Sequence, residues 1–532
     1  MFLQKIRQFI EYRKKFKRLS KELLFKVACK NQTARRLQLD HWLSQARSLS
    51  LLTKQQLVDS FYELVNAQGI DNSAYQLWLI CQLPLNANSD YDESCFLTLG
   101  KDVQLISGAS QLIAQAFHEN PQVLLIYTDH DELDEYGNRV NPHFKPDWNI
   151  DLFYSINYLG ESIFIRQAWY QSLKIEPQVS VEDVLWKLLP KLQSSQILHL
   201  PVICYSSLGA KQALESSETN PLIASITGAE MAIGHLKASR YLLFPLPKDL
   251  PLISLIIPTK DQLKLLQACV YSILEKTSYS NYEIIIIDNN SQLSETLAWL
   301  DSIRESCNKV RVLKYEKSFN YSAINNFAVN QAKGSIVGLI NNDIEVINSN
   351  WLTEMLRQAC RPEIACVGAK LYYPDGRIQH AGVILGSGGG SGHAHRYYAG
   401  DAEGYMGRLN LVQNFSAVTG ACLLVRKSLY EAVGGLNEVD LPIAWSDIDL
   451  CLKLKQRGYR NLWTPYAELY HHESVSRGRD RTKQQRKRYL AEKAYMQRTW
   501  GEWMYQDPCY NPNLTVIGEG FSLGLPIKSC KD

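Results

Sequence analysis

The sequence has no apolar run approaching the roughly eighteen residues that a membrane span requires. Its N-terminus also lacks the apolar stretch of a signal peptide. Together these absences predict a cytoplasmic chain. No Cys-x-x-Cys pair occurs among the twelve cysteines scattered from Cys29 to Cys530. Several of them, such as Cys269 and Cys422, sit inside apolar segments, so buried thiols in a reducing compartment are expected in place of disulfides or zinc. Net charge is small, +3, but unevenly spread: residues 1–40 hold twelve Lys and Arg against three acidic residues. An anionic partner surface follows, and the expectation is peripheral contact with the inner face of the plasma membrane. Nucleic-acid binding would rest on the basic ends alone and is not expected.

What is present is the composition of a folded soluble protein, 45% apolar and 21% charged. At 532 residues the chain exceeds one ordinary core, which predicts two domains and a terminal appendage. Residues 1–68 read as a basic helical extension, with Phe2, Ile6, Phe9 and Ile10 on one face, either solvated or lying on a membrane surface. Residues 69–245 are mixed α/β, with an apolar strand over 123–127 that runs into the polar stretch 128–134. Pro245, Pro247 and Pro251 punctuate a linker. A second domain follows over 250–515, and 516–532 form a tail.

From 252 the pattern sharpens into alternating strand and helix. Residues 252–257 read as a β-branched strand, followed by a helix with Leu263, Leu266, Val270, Ile273 and Leu274 on one face; 282–287 and 335–340 read as two further strands. Short apolar strands separated by amphipathic helices predict a largely parallel sheet covered on both faces. Ligands of such sheets bind beyond the carboxyl ends of the strands. All three ends are polar: Pro258-Thr259-Lys260-Asp261, Asp288-Asn289-Asn290-Ser291 and Asn341-Asn342-Asp343. Each alone also reads as a turn or a helix cap. Converging, they suit a base, a ribose and a metal-bound diphosphate.

The segments ISLIIPTKD at 253–261, IIIIDNNS at 284–291 and GLINNDIEV at 338–346 resemble the nucleotide-binding half of family 2 glycosyltransferases of the GT-A fold. FNYSAINN at 319–326, KLYYPDGRIQHAGVILG at 370–386, SAVTGACLLVRK at 416–427, WSDIDLCLK at 445–453 and ELYHHESVSRG at 468–478 are similar to bacterial members that build O-antigen and related surface polysaccharides, often rhamnosyltransferases. The resemblance implies an α/β architecture: a Rossmann-like GT-A domain, the fold of nucleotide-diphospho-sugar transferases, acting with inversion at the anomeric carbon. It implies that Pro258, Thr259, Asp261, Asp288, Asn290, Asn325, Asn341 and Asn342 line the nucleotide-sugar site. Asp343 takes the final place of the family's Asp-x-Asp motif, which binds Mn²⁺ or Mg²⁺ through the donor diphosphate; Asn341 stands at the first, usually acidic, place. His471 or its neighbour His472 would complete the metal shell, the pair reading otherwise as one buried and one surface histidine. Asp447 and Asp449 begin a helix two residues apart, so only one of them faces the site. The family's pattern assigns the base to Asp447, with Trp445 and Gly420 bordering the acceptor.

The remaining features read less directly. YTDHDELDEYGNRVNPHFKPDWNIDLFYSINYLG at 127–160 looks like the latter part of another family 2 domain, and Gly100-Lys101-Asp102 falls where that domain would carry its metal motif. Lys101 would repel a cation, so 69–245 is expected to be a degenerate, truncated GT-A-like domain, with Asp129, Asp131 and Asp134 as its remaining polar candidates. The Gly-rich stretch 386–396 lacks the setting of a phosphate loop and reads as a mobile loop closing over donor and acceptor. Arg477, Arg479, Arg481, Lys483, Arg486, Lys487 and Arg488 form a basic run. The expected activity is transfer of a hexose or deoxyhexose from a UDP-, dTDP- or GDP-sugar to a glycan or lipid-linked glycan acceptor. The competing reading is a catalytically silent glycan-binding or scaffold protein.

Overall fold

The computed structural model describes residues 70, 72–80, 85, 91–100, 102–174, 180–208, 221–472, 482–516 and 520–524. The basic extension expected over 1–68 and the first part of the basic run after His472 lie outside them. No helix among the described residues is long and apolar enough to cross a membrane. Cys269 and Cys422 are buried free thiols.

The larger sheet has ten strands: β1 (Ile253–Thr259), β2 (Tyr282–Asp288), β3 (Val310–Lys314), β4 (Ile336–Ile340), β5 (Ile344–Val346), β6 (Ile364–Tyr372), β7 (Ile378–His380), β8 (Gln413–Phe415), β9 (Cys422–Arg426) and β10 (Arg460–His471). Their order is β3-β2-β1-β4-β9-β6-β10-β5, with β7 beside β6 and β8 beside β10. β3, β2, β1 and β4 run parallel, β9 runs antiparallel between β4 and β6, and β6 and β10 are again parallel. The apolar runs require this arrangement, because alternate residues of one strand serve two cores. Ile284 and Ile286 pack with Leu266, Val270 and Ile273 of the helix Leu263–Lys276, whereas Ile285 and Ile287 share a core with Ile324, Ala328 and Val329 of the helix Tyr321–Gln331. Each such isoleucine contributes about 1.5–3 kcal/mol by leaving water.

A second sheet precedes this one. Its strands are Phe96–Leu99, Val103–Leu105, Leu125–Leu133, Arg139–His143, Ile163–Arg166 and Ile197–Ser207, ordered first-fifth-third-sixth-second, with the fourth beside the third. Order and direction both repeat β4-β9-β6-β10-β5 with β7 beside β6: antiparallel, antiparallel, parallel, antiparallel, closed by the same antiparallel hairpin. The helix Ala109–Glu119 falls where Trp351–Ala359 falls in the larger sheet. Among the described residues the smaller sheet has no counterpart of β1, β2 and β3. It repeats the second part of the larger sheet, without β1 and β2, two of the three strands whose ends converge on polar residues.

The strand expected over 123–127 continues through the polar stretch to Leu133. Polar residues there do not end it: Asp131 accepts from Ser206 Oγ and Tyr75 Oη at 2.5 Å each and from Arg139 Nε at 2.6 Å, and the buried His130 ring stacks between His143 and Tyr205. Asp134 is different, accepting from the backbone of Tyr136 and Asn138 at the exposed turn. The two sheets meet at Asp151, which pairs with Arg361 at 2.6 Å and accepts from Asn414 Nδ2 at 2.7 Å. After 515 the chain still packs: Val516 accepts from Gly388 N–H at 2.8 Å, and the buried Phe521 ring stacks on His395 at 4.1 Å.

Candidate active site

Because β1, β2 and β4 are parallel neighbours, their carboxyl ends form one edge, and Asp288 stands directly opposite Thr259. Asn342 Nδ2 donates to Thr259 Oγ1 at 3.1 Å, joining the third strand end to the first. Pro258 lies opposite Ile287 in the same register. Asp261 adopts a left-handed backbone, φ 53°, and its Oδ1 accepts the N–H groups of Gln292 and Leu293 at 2.9 and 3.0 Å. That carboxylate oxygen shapes the loop after β2. Asp288 Oδ1 accepts from Ser291 N–H at 2.9 Å, and Asn290, φ 62°, leans on the Lys317 carbonyl at 3.4 Å.

The next group lies where β4 gives way to β5. Asp343 is buried, and its Oδ1 lies 3.2 Å from His471 Nε2. This approach is not a hydrogen bond: no donor among the described residues is aimed at that oxygen. Asn341 Nδ2 also lies 3.2 Å from His471 Nε2. On the other edge of the ring, His471 Nδ1 lies 2.8 Å from Gln379 Oε1. His472 turns away to Glu345 at 3.2 Å.

A backbone step connects this group to Asp447. Asn341 N–H donates to the Ala421 carbonyl at 2.9 Å, and Gly420 N–H donates to Asp447 Oδ2 at 2.8 Å. Asp447 opens the helix Ser446–Gln456, and its Oδ1 accepts from Ile448 N–H at 2.9 Å. Burial pushes its carboxyl above the ordinary range, against the pull of the hydrogen bonds from Gly420 and Ile448. Asp449 faces the opposite way, paired with Lys453 at 2.6 Å and accepting from Trp500 Nε1 at 2.9 Å. Trp445 holds a left-handed conformation, φ 68°, with its indole N–H buried and unpartnered among the described residues. Strain in a bulky side chain next to an orphaned donor is characteristic of a ligand site.

Two expectations change here. The Gly-rich stretch is an antiparallel hairpin, Val383–Leu385 with Ser391–His393, its turn held by Gly386 N–H on the Gly390 carbonyl at 2.8 Å. Glycine is needed there for close approach, since a Cβ on Gly390 would sit 2.6 Å from the Trp445 ring. Asn325 is fully buried, donating to the Tyr321 carbonyl at 2.8 Å, with Oδ1 unpartnered among the described residues; Tyr321 Oη in turn donates to the Gly420 carbonyl at 3.1 Å. Residue-by-residue reading gave no role to Gln379, His380 or Tyr321. His380 is completely buried and holds its proton affinity well below that of a free imidazole because of that burial, with Thr419 N–H 3.5 Å from its Nε2.

A parallel run of strands with polar ends and a carboxylate at the first turn of a facing helix is the arrangement of the GT-A fold. Residues 254–434 match the family model "Glycosyl transferase family 2". The chain thus carries a domain that matches this family over 254–434. It is 44% identical over 447 residues to the uncharacterized protein y4gI of Sinorhizobium fredii, a match covering 80% of this chain and 49% of that protein. To the O-antigen biosynthesis protein RfbC of Myxococcus xanthus it is 33% identical over 437 residues, covering 79% of this chain and 33% of the relative. The chain thus spans half or less of the length of these relatives. Among solved structures, the mannosyltransferase PcManGT of Pyrobaculum calidifontis, in complex with GDP-Man and Mn²⁺, is similar at 16% identity and a TM-score of 0.36, covering 48% of this chain and 66% of that one.

Proposed function

We propose that the chain moves a hexose or deoxyhexose, rhamnose among them, from a UDP-, dTDP- or GDP-sugar to a surface polysaccharide or lipid-linked glycan, with inversion. The unit over 250–515 would do the chemistry, and the half-sheet of 69–245 would pack or hold acceptor. The observation that supports this best is the short backbone path from Asn341 through Ala421 and Gly420 to Asp447. It brings a carboxylate of raised proton affinity beside the polar strand ends.

In this reading the acceptor hydroxyl attacks the anomeric carbon as the bond from that carbon to the diphosphate oxygen breaks, and Asp447 takes the hydroxyl proton. Thr259, Asp288, Asn290 and Asn342, with Pro258 and Asp261 shaping the loops, would line the nucleotide. Trp445 and Gly420 would border the acceptor, and Asn325 would back Tyr321 beneath them. Asp343 and His471 fit a divalent cation: a buried carboxylate oxygen without a donor faces an imidazole nitrogen, an oxygen–nitrogen pair suited to Mn²⁺ and, less well, Mg²⁺. No group of three or more His, Cys, Asp or Glu with metal-holding geometry occurs among the described residues, so the donor's phosphate oxygens and water would complete the shell. A divalent cation held there would supply charge stabilisation for the leaving diphosphate without proton transfer.

Thermal unfolding tests this reading. The matching nucleoside diphosphate with Mn²⁺ should raise the melting temperature, by the equivalent of about 2.7 kcal/mol at a hundredfold excess over Kd. Calorimetric titration should return one site per chain, because among the described residues the smaller sheet has no counterpart of β1 and β2. Two equal sites, or no shift with any nucleotide sugar, refutes it. The Lys- and Arg-rich residues 1–40 are proposed to touch an anionic leaflet. The chain should then sediment with phosphatidylserine vesicles at low salt and not with phosphatidylcholine ones; equal behaviour with both removes that contact.

A further inference from the structure

His471 ends β10, and its ring is held at both edges. Gln379, in β7, is 1% exposed and lies 92 residues away in sequence. Its side chain meets His471 twice: Oε1 is 2.8 Å from ring Nδ1, and Nε2 is 3.5 Å from the backbone carbonyl of His471. The second contact decides the orientation of the amide. A carbonyl oxygen only accepts, so the carboxamide must turn its NH₂ toward the His471 backbone and its oxygen toward the ring. That oxygen also only accepts, so the ring proton is on Nδ1. In the neutral ring Nε2 is then an acceptor, and beside it, 3.2 Å away, lies Asp343 Oδ1, an oxygen with no donor among the described residues. Two acceptors facing each other at that distance repel unless something positive lies between them or beside them. The Asn341 amide at 3.2 Å from Nε2 supplies a partial positive charge only.

We propose that Gln379 is a positioning residue that fixes the Nδ1–H tautomer and ring plane of His471, leaving Nε2 and Asp343 Oδ1 aimed together at a divalent cation. This rests on the reading of Asp343 and His471 given above and goes beyond it by naming the residue that prepares them. The pairing of β7 with the end of β6, Leu371 opposite His380, and of β10 with the same strand, Tyr372 opposite Tyr470, brings Gln379 under the ring. At 1% exposure no bulk water can replace its oxygen. Partners that orient a metal-binding imidazole in this way typically govern about 10- to 100-fold of metal affinity.

The test is Mn²⁺ titration of the full chain with UDP present, followed by electron paramagnetic resonance of the free ion, on the parent protein and on Gln379→Met, Gln379→Leu, Gln379→Glu and His471→Ala. Gln379→Leu cannot accept from Nδ1 and Gln379→Met can do so only weakly through its thioether, so both should weaken Mn²⁺ binding, Gln379→Leu by about 10- to 100-fold. Gln379→Glu still accepts, and should bind Mn²⁺ at least as tightly as the parent. UDP affinity without metal should be the same in all five proteins. If His471→Ala loses Mn²⁺ affinity while Gln379→Met and Gln379→Leu keep it, the role of Gln379 is overturned and the metal reading stands. If His471→Ala binds Mn²⁺ like the parent, the metal reading itself fails. If one apolar variant does not fold, the other carries the comparison. Should neither fold, a Gln379→Glu protein that binds Mn²⁺ more than tenfold more weakly than the parent overturns the proposal.

Discussion

Asp447→Asn is expected to lower turnover by about 10²- to 10⁴-fold, the usual contribution of a general base, while nucleotide affinity stays within a factor of a few. The carboxylate has no evident purpose in the nucleotide half, since its two oxygens accept from Gly420 and Ile448 at 2.8 and 2.9 Å. What distinguishes it is a raised proton affinity: the side chain is only half-buried, but desolvation pushes its carboxyl up and so makes it a better proton acceptor when ionised. The pH dependence follows with a definite sign. Below its folded-state pKa the group carries a proton and cannot take another, so kcat/KM should rise with pH through a limb placed above the ordinary carboxylate value of about 3.9. Stability moves the opposite way. A carboxyl whose folded pKa is raised contributes stability below its unfolded pKa and loses it as pH rises through the folded one. Asn has neither proton nor charge to lose, so the variant should show no acidic limb in its residual rate and a flatter stability profile. Initial rates across pH, with calorimetric titration of the nucleotide, check both. Turnover retained at the parent level removes Asp447 from the base role.

That only one of Asp447 and Asp449 faces outward was legible, because residues two apart on a helix do not share a face and the helix begins at Ser446 as expected; the choice between them came from the family's pattern. The ends of β1, β2 and β4 were legible for a similar reason. A strand buried on both faces reads as an unbroken apolar run, so its first polar residue marks the sheet edge. Gln379 was not legible. Its function is set by the hairpin of β6 with β7 and by the far end of β10, and nothing local in RIQHAG distinguishes a core amide from a positioning one. The left-handed backbone of Trp445 was equally hidden, since no local preference favours φ 68° for a tryptophan. The half-sheet kinship of the two units surfaces in the sequence only over 127–160. There the strand was read as stopping at Tyr127, because Thr-Asp-His-Asp normally ends a strand. The donors that let it continue come from residues as distant as Asn511 and Asn513.

Those donors make Asp129→Ala the substitution expected to cost the most stability, about 3–5 kcal/mol, the range for stripping one partner from a buried charged network. Asp129 is fully buried and accepts from Lys145 N–H at 2.9 Å, from His199 Nε2 at 3.1 Å, from Asn511 Nδ2 at 2.9 Å on each oxygen, and from Asn513 Nδ2 at 3.2 Å. Alanine leaves all these donors facing a void, and only Asn511 and Asn513 belong to the segment that follows the helix Lys483–Thr499. The carboxylate is therefore a clamp between the end of the chain and the half-sheet. Burial opposes a proton on His199, but the carboxylates of Asp129 and Asp147 outweigh it and raise its pKa. The stability this brings is present below the unfolded value of about 6.5 and is lost as pH rises through the folded one. Lys145 is pushed down to about 7 by burial, partly offset by Asp129, and acts with opposite sign at higher pH. Without Asp129 the His199 contribution should shrink, so the variant's deficit should be larger at pH 6 than at pH 8. Urea unfolding at the two values measures it. A loss under about 1 kcal/mol at both, the size of one ordinary hydrogen bond, would mean that the apolar contacts and Asp151 hold the halves together without this clamp.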